Sequence, residues 1–265
     1  MFVRSLAAVA LATAFSFGAV ASAYASPDNG SGGTSANWAG YAKTGHTYKW
    51  VTATWTEPSM PVPCQFGSTG PSLAIIRVGF DGFGNKTSEQ VGTGLECIPA
   101  GPPSGASTPM VVKHAGFYQI DPAGGPLGTP FCNPEDASPA KGCVGSFDLK
   151  AGDVVTALAS FDDGTFTFAL FNWRTGETAT ATGTNAAATR TSAEAVEEAP
   201  FGTHVPLTNF GEVSFNAFIA HAENHEEDRG QKSDAQAVTM VNGATVRAQP
   251  SDLHGSTFTV TWEHA

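Results

Sequence analysis

Most of the chain alternates apolar and polar side chains with a period of two residues, and this alternation is the strongest constraint on its fold. A period of two places successive side chains on opposite faces of an extended strand, whereas a helix requires a period of 3.6. The alternation predicts ten strands. They are Thr52 to Trp55, Leu73 to Phe80, Lys113 to Ile120, Val154 to Phe161, Thr165 to Asn172, Glu177 to Thr182, Val213 to Ile219, Ala237 to Val241, Thr245 to Gln249 and Thr257 to Trp262.

Turn-forming sequences separate these segments, which indicates short connections between antiparallel strands. Examples are Thr175-Gly176 and Asn242-Gly243, and Asp162-Asp163-Gly164 between two aromatic runs predicts a hairpin. No amphipathic helix pattern interrupts the series. The sequence therefore predicts an all-β protein, an antiparallel β-sandwich of two sheets, with the Gly- and Pro-rich stretches 98–109 and 122–143 as surface loops.

The N-terminus has the sequence of a secretory signal peptide. Arg4 precedes an apolar stretch from Leu6 to Val20, and Ala21-Ser22-Ala23 and Ala23-Tyr24-Ala25 both fit a signal-peptidase site. The apolar stretch is shorter than the roughly 20 residues that span a bilayer. We therefore expect a signal peptide over residues 1–25, a short polar leader over 26–35 and one secreted domain over 36–265.

The charge balance disfavours nucleic-acid and membrane partners. The chain has 24 acidic and 13 basic residues, and an acidic surface repels phosphate backbones and anionic lipids. Charged residues make up only 14% of the chain, which distinguishes it from a disordered acidic tail. We expect a monomer that binds neither nucleic acid nor membranes.

Four cysteines in an exported chain indicate two disulfides. Three connectivities exist for four cysteines, and we expect Cys64 to pair with Cys97 and Cys132 to pair with Cys143. The first bond would tie together the two ends of the segment from Cys64 to Cys97, which contains Gln90, a candidate site residue. The second bond would close a small loop. Zinc binding is the competing interpretation, but the sequence has no C-x-x-C motif and no nearby histidine at ligand spacing.

Signatures of the common hydrolase classes are absent from the sequence, which contains no G-x-S-x-G, no H-E-x-x-H and no D-[ST]-G. His221 and His225 lie four residues apart in an acidic segment, but on a strand or loop that spacing says little about a metal. A solvated acidic turn is the better interpretation. We expect no metal and no other cofactor.

Seven short motifs occur in an order that resembles a known enzyme family. They are Asn37-Trp38-Ala39-Gly40, Trp55-Thr56-Glu57-Pro58, Val78-Gly79-Phe80-Asp81-Gly82, Glu89-Gln90-Val91-Gly92-Thr93, Leu170-Phe171-Asn172 before Thr175-Gly176, Ala193-Glu194-Ala195-Val196-Glu197-Glu198-Ala199-Pro200, and Pro206-Leu207-Thr208-Asn209-Phe210-Gly211-Glu212-Val213. In this order and at these distances they resemble the glutamic peptidases, or eqolisins, particularly the bacterial secreted members. The resemblance covers nearly the whole mature chain, and its specificity comes from the order of the motifs.

The resemblance implies a concanavalin-like sandwich of two curved antiparallel sheets, with the active site on the concave face of one. It also implies a catalytic pair, because the family's glutamine falls on Gln90 and its glutamate on Glu198. A carboxylate can take a proton from the attacking water and return it to the leaving nitrogen. A neutral carboxamide can donate an N–H to the developing oxyanion, which is worth roughly 3 kcal/mol for a well-placed donor.

Glu198 belongs to an acidic run that, without the family pattern, would be interpreted as solvated surface. On an extended chain Glu194, Val196 and Glu198 share one face, and Glu197 points to the other. Glu197 is therefore not expected to act together with Gln90. No positive charge is expected beside Glu198.

Five further residues are expected in the substrate cleft or next to the pair. Asp81, in a G-F-D-G turn, either orients Gln90 or caps its own turn. The other four are Arg77, Tyr118, Gln119 and Glu194. The chain departs from the family pattern where Arg77 and Ala195 stand in place of frequent aromatic residues, and where Gln119 stands in place of an acidic one.

The sequence thus predicts a secreted acid endopeptidase that acts on polypeptides. An unperturbed glutamate titrates near ~4.3, which places the expected activity on the acid side. Two alternatives stay open, because a fold alone implies no function. One is a catalytically altered β-sandwich that binds polypeptide or carbohydrate, and the other is a secreted structural or adhesive domain. The tryptophans that would form a sugar platform are Trp38, Trp50, Trp55, Trp173 and Trp262.

Overall fold

The computed structural model describes residues 33–60, 64, 72–99, 110–122, 128–134, 142–199, 206–224 and 235–265. The predicted signal peptide, most of the predicted leader and His225 lie outside the described residues.

Sixteen strands and no helix form the described part of the chain. All ten predicted strands are present, and one of them, Thr165–Asn172, has the predicted bounds. The strands are β1 (Thr34–Ser35), β2 (Trp38–Thr44), β3 (Tyr48–Thr56), β4 (Ser72–Asp81), β5 (Ser88–Pro99), β6 (Met110–Asp121), β7 (Thr129–Cys132), β8 (Gly145–Ser146), β9 (Val154–Asp162), β10 (Thr165–Asn172), β11 (Thr178–Gly183), β12 (Ser192–Glu198), β13 (Glu212–Ala222), β14 (Ala235–Asn242), β15 (Thr245–Pro250) and β16 (Phe258–Trp262).

Three strand segments lie where the sequence predicts loop or leader. The predicted surface loop 122–143 contains β7, because Phe131 is buried in the core and its strand pairs with β6. The prediction starts the loop 98–109 two residues too early, because β5 stays paired with β6 as far as Pro99. Thr34 and Ser35, at the end of the predicted leader, pair in parallel with β14.

The strands form two layers. The larger layer has the order β14-β2-β12-β4-β5-β6-β7-β8, the smaller layer has the order β11-β10-β9-β3-β13, and β16 and β15 link β13 to β14. Among the described strands, every pairing is antiparallel except β1 with β14 and β7 with β8. The predicted antiparallel β-sandwich is confirmed.

Aromatic side chains fill the interior between the layers. The ring of Phe80 on β4 lies 5.9 Å from that of Phe166 on β10, and the ring of Tyr118 on β6 stacks 5.6 Å from that of Phe168. Strands β4 and β12 are buried at every position, so both of their faces are covered. One face packs in the interior, and the other carries the candidate site.

Both predicted disulfides are confirmed. Cys64 is bonded to Cys97 at the end of β5, with 5.9 Å between their Cα atoms. Cys132 on β7 is bonded to Cys143, with 5.7 Å between Cα atoms. The first bond ties the chain before β4 to the strand that carries Gln90.

Removing the Cys64–Cys97 disulfide is expected to lower the free energy of unfolding by roughly 3 to 4 kcal/mol, because it closes a sequence separation of 33 residues. Thermal unfolding of a variant with both cysteines changed to serine measures the loss. The matched control changes Cys132 and Cys143, whose separation of 11 residues predicts a loss smaller by about 1 kcal/mol. Free thiols in the exported protein, or a larger loss in the control, would contradict this prediction.

Candidate active site

Gln90 lies on β5 with its carboxamide held at both ends. It is 2% exposed and stands directly opposite Gln119 on β6. The Gln90 Nε2 donates a hydrogen bond of 2.6 Å to Gln119 Oε1, and the Ser88 hydroxyl donates one of 3.1 Å to Gln90 Oε1. One N–H of Nε2 is left without an acceptor among the described residues. The carboxamide is therefore oriented and keeps one free donor.

Glu198 lies on β12 and forms a buried ion pair. It is 5% exposed, and Arg77 Nε on β4 donates a hydrogen bond of 2.5 Å to its Oε2 atom. The expectation of no positive charge beside Glu198 is wrong, because β4 and β12 are adjacent strands although their residues are far apart in sequence. The other carboxylate oxygen, Oε1, receives no hydrogen bond from the described residues.

The guanidinium of Arg77 is enclosed on several sides. Its side chain has no exposed surface, and its Cζ atom lies 4.3 Å from the centre of the Trp38 ring. Its Nη1 atom lies 3.9 Å from Glu194 Oε2. Neither Nη1 nor Nη2 makes a hydrogen bond to any residue that the structure describes. The sequence analysis places Trp38 in the first motif and among the tryptophans of a possible sugar platform. It does not predict the contact between Trp38 and Arg77.

The pairing register places Gln90, Arg77 and Glu198 on one face of the larger layer, which we call the site face. Gln90 is opposite Gly79, Arg77 is opposite Gly92, and Glu198 is opposite Ile75. Arg77 therefore stands midway along β4 between the other two. Burial, and then the Glu198 carboxylate, raise the pKa of Asp121, which lies two residues beyond Gln119 on β6. Asp121 and Glu198 thus interact electrostatically across the site face.

The glutamates of β12 are buried, so the interpretation as a solvated acidic run is wrong. Val196 packs against Trp38, whereas Ala195 belongs to the core between the layers. This alternation confirms that Glu197 points away from Glu194 and Glu198. Burial raises the pKa of Glu197 well above its usual value, and Glu57 and Glu198 raise it further.

Asp81 anchors the segment that leads into β12 and makes no hydrogen bond to Gln90. Its backbone φ is 59°, and its carboxylate accepts hydrogen bonds from the backbone N–H groups of Thr189, Arg190 and Thr191 at 2.7 to 2.9 Å. It also accepts one from Asn85 Nδ2 at 2.5 Å, within its own turn. Gln90 is instead oriented by Ser88, which was not predicted and has no distinctive sequence signal.

Tyr118, which was predicted in the substrate cleft, lies instead in the interior between the two layers. Its ring packs between Phe131 and Phe168 in the interior, because it precedes Gln119 by one residue and must face the opposite side of β6. Gln119, by contrast, contacts Gln90 directly.

A buried polar cluster that the sequence analysis missed supports β5 from the interior. Glu57 accepts a hydrogen bond of 2.7 Å from Thr93 Oγ1 and forms a second hydrogen bond, of 2.8 Å, with His114 Nδ1. Trp55 Nε1 also donates to Thr93 Oγ1, at 3.2 Å. The only feature of the sequence that pointed to this cluster was the position of Glu57 in the second motif, next to the first predicted strand.

Neither a metal centre nor a membrane span is found among the described residues. No group of three or more His, Cys, Asp or Glu side chains is arranged to hold an ion there. His221 stacks on Trp50 with 5.4 Å between ring centroids. No helix of that part of the chain is long and apolar enough to cross a membrane.

Comparison with known proteins assigns the family. A sequence model described as the peptidase A4 family matches residues 36–123 and 133–262, which together include both candidate catalytic residues. The chain belongs to the peptidase A4 family. It is therefore a glutamic-type peptidase, a hydrolase of the eqolisin group. No curated protein matches this A4 peptidase.

Two solved structures of eqolisins share the fold of this A4 peptidase. Scytalido-glutamic peptidase, solved with a peptide-based transition-state analogue, gives a TM-score of 0.62 at 20% identity. SCP-B, solved with the tripeptide Ala-Ile-His, gives a TM-score of 0.59 at 18% identity. Each alignment covers 86% of this chain and 98% of the other.

This A4 peptidase should be more stable in acid than at neutral pH. Burial raises the pKa of Glu89 to about 8 and that of Glu96 to about 7, and raises those of Glu194 and Glu197 well above the usual value. Each of these carboxyl groups binds its proton more tightly in the folded state than in the unfolded state. Its contribution to the stability of the fold is therefore fully present below about pH 4, and it is lost as the pH rises through the pKa of the folded state. Thermal unfolding by circular dichroism should show a falling Tm between about pH 4 and 8.

The matched variant for that measurement is Glu197→Gln, which removes one buried titrating group. Its Tm should fall less between acid and neutral pH than that of the wild type, because a carboxamide has no proton to lose. A wild-type Tm that stays constant or rises over this range would contradict the assignment.

Proposed function

We propose that this peptidase is an endopeptidase in which Glu198 is the general base and then the general acid, and Gln90 is the oxyanion donor. The observation that carries the proposal is the pair itself. A carboxylate with one free oxygen and a neutral carboxamide with one free N–H lie on the same face of the larger layer. The assignment also rests on the family motifs that contain both residues.

In the proposed reaction Glu198 Oε1 takes a proton from water as the water oxygen attacks the scissile carbonyl carbon. The C–N bond then breaks, and the same carboxyl group gives the proton to the leaving amine. The products are a carboxylic acid and an amine, so no other reactant is required. Oε1 is suited to this role because Arg77 occupies Oε2.

Gln90 stabilises the negative charge that forms on the carbonyl oxygen. A carboxamide stays neutral at all relevant pH values, so it donates a hydrogen bond without competing for the proton. Its bonds to Gln119 and Ser88 fix the donor before substrate binds, which lowers the cost of reorganisation during the reaction.

The pair is nearly covered in this structure. Gln90 and Glu198 are 2% and 5% exposed, and Arg77 is fully buried. Peptide ligands are seen in the related structures, one with a transition-state analogue and one with a tripeptide, and we extend peptide substrates to this chain.

The carbohydrate-binding alternative finds less support. Trp55 is fully buried in the core and Trp38 packs on Arg77, whereas Trp173 is 63% exposed at the end of β10 in the smaller layer. Tryptophans that line a sugar platform must share an exposed surface. These three side chains share none.

We also propose that the protein is secreted after removal of residues 1–25. Two disulfides fit an oxidising compartment, and the N-terminal sequence fits signal peptidase. N-terminal sequencing of exported protein should find a start between Tyr24 and about Asn37. A start tens of residues further along would contradict both the signal peptide and the short leader.

Glu198→Gln is expected to abolish turnover, because the amide cannot accept the water proton. Gln90→Ala should lower kcat by roughly 10²- to 10³-fold with a smaller effect on KM, since it removes one oxyanion donor. Cleavage of a denatured protein and of a fluorogenic peptide across acid pH measures both. Circular dichroism establishes that each variant is folded.

Glu197→Gln is the matched control for Glu198→Gln, because the two glutamates are adjacent but face opposite sides of β12. It should cleave at close to the wild-type rate. The assignment is wrong if Glu198→Gln keeps the wild-type rate, or if Glu197→Gln is the inactive variant.

A further inference from the structure

We propose that Arg77 is a positioning residue for catalysis: its Nε–H fixes Glu198 Oε2 so that Oε1 is presented to the attacking water. The inference rests on the proposed role of Glu198 as the base. Arg77 itself is not assigned a contact with substrate.

The contact between Arg77 and Glu198 is short and protected from solvent. Nε and Oε2 are 2.5 Å apart, with side-chain exposures of 0% for Arg77 and 7% for Glu198. A charge-assisted hydrogen bond of this kind is stronger and more directional than a neutral one. It therefore restricts rotation of the Glu198 carboxylate about its last side-chain bond.

The guanidinium is itself held in place, so it can serve as a fixed reference. Its Cζ atom lies over the Trp38 ring, and Trp38 stands directly opposite Glu198 on β2. The base of the Arg77 side chain is also placed closely, because Gly92 of β5 lies opposite Arg77. A Cβ at residue 92 would come within 2.0 Å of the Ile76 carbonyl oxygen and 2.9 Å of Arg77 Cβ, so only glycine permits this approach of β5 to β4.

Glu194 does not compete effectively for Arg77. Its nearer oxygen is 3.9 Å from Nη1, beyond hydrogen-bond distance, so it makes no hydrogen bond to Arg77. Burial raises the pKa of Glu194 well above its usual value, and Arg77 and the Ser192 hydroxyl only partly oppose this effect. Glu198, at hydrogen-bond distance, is therefore the carboxyl group that pairs with Arg77.

A fixed carboxylate should affect the chemical step more than substrate binding. Misplacement of a reacting group by about 1 Å can cost on the order of 10²-fold in rate. Without Arg77 the Glu198 carboxylate can rotate and turn either oxygen away from the water. The expected signature is a lower kcat with little change in KM.

The test compares Arg77→Met and Arg77→Lys with the wild type. Methionine keeps an apolar chain of similar length over Trp38 but removes the donor and the charge, whereas lysine keeps the charge without the planar fork. The matched control is Arg247→Met, which removes another buried arginine, 2% exposed, on β15. Steady-state kcat and KM with one peptide, together with Tm, are measured for all variants and for Glu198→Gln.

We expect kcat of Arg77→Met to fall roughly 10- to 100-fold with KM changed less than about threefold, and Arg77→Lys to lie between it and the wild type. Arg247→Met should keep the wild-type kcat. A folded Arg77→Met with wild-type kcat, a raised KM at unchanged kcat, or an equal kcat loss in Arg247→Met would overturn the inference. If Arg77→Met does not fold, a wild-type kcat in Arg77→Lys would overturn the inference instead.

The outcomes also separate this inference from the proposed function. If Glu198→Gln retains activity, the catalytic assignment fails and Arg77 has no base to position. If Glu198→Gln is inactive and Arg77→Met keeps its kcat, the assignment of Glu198 stands and only the role of Arg77 fails.

Discussion

The two-residue alternation of β12, between two neighbouring strands that cover its backbone, is the constraint on which the site depends. It sends Glu194 and Glu198 to the site face and Glu197 to the interior, although the last two are adjacent in sequence. Both faces are buried, so each carboxyl group must find a partner or become neutral. Glu198 finds Arg77, and burial keeps the other two protonated in acid solution.

That difference in environment gives neighbouring carboxyl groups different chemistry. Glu198 has a cation at hydrogen-bond distance and one oxygen free, which suits a base. Glu197 has no hydrogen-bond partner within the described part of the chain, and Glu57 raises its pKa further, which suits a neutral acid. Environments that treat paired titratable groups differently are a recurrent feature of active sites. Here strand parity, and not distance along the chain, determines which glutamate receives which environment.

The period-two pattern predicted the sandwich, because alternation is a property of local sequence, and both disulfides join cysteines that follow one another along the chain. The face of each β12 glutamate was predictable for the same reason. The Arg77–Glu198 pair was not, since it forms between residues 121 positions apart through the pairing of β4 with β12. Tyr118 was misplaced because a motif identifies a neighbourhood, whereas the parity of β6 decides which of two adjacent residues faces the cleft.

The site also concentrates polar atoms that lack partners. Both Nη atoms of Arg77 and the carboxyl oxygens of Glu197 are buried without a hydrogen bond to the described residues, and each such group costs on the order of 1–3 kcal/mol. A core selected for stability alone would replace them with apolar side chains. The Glu57–Thr93–His114 hydrogen bonds and the Cys64–Cys97 bond lie at the strand that carries Gln90, where they offset part of this cost. The unfavourable groups thus lie around Glu198, the residue for which we propose a catalytic role.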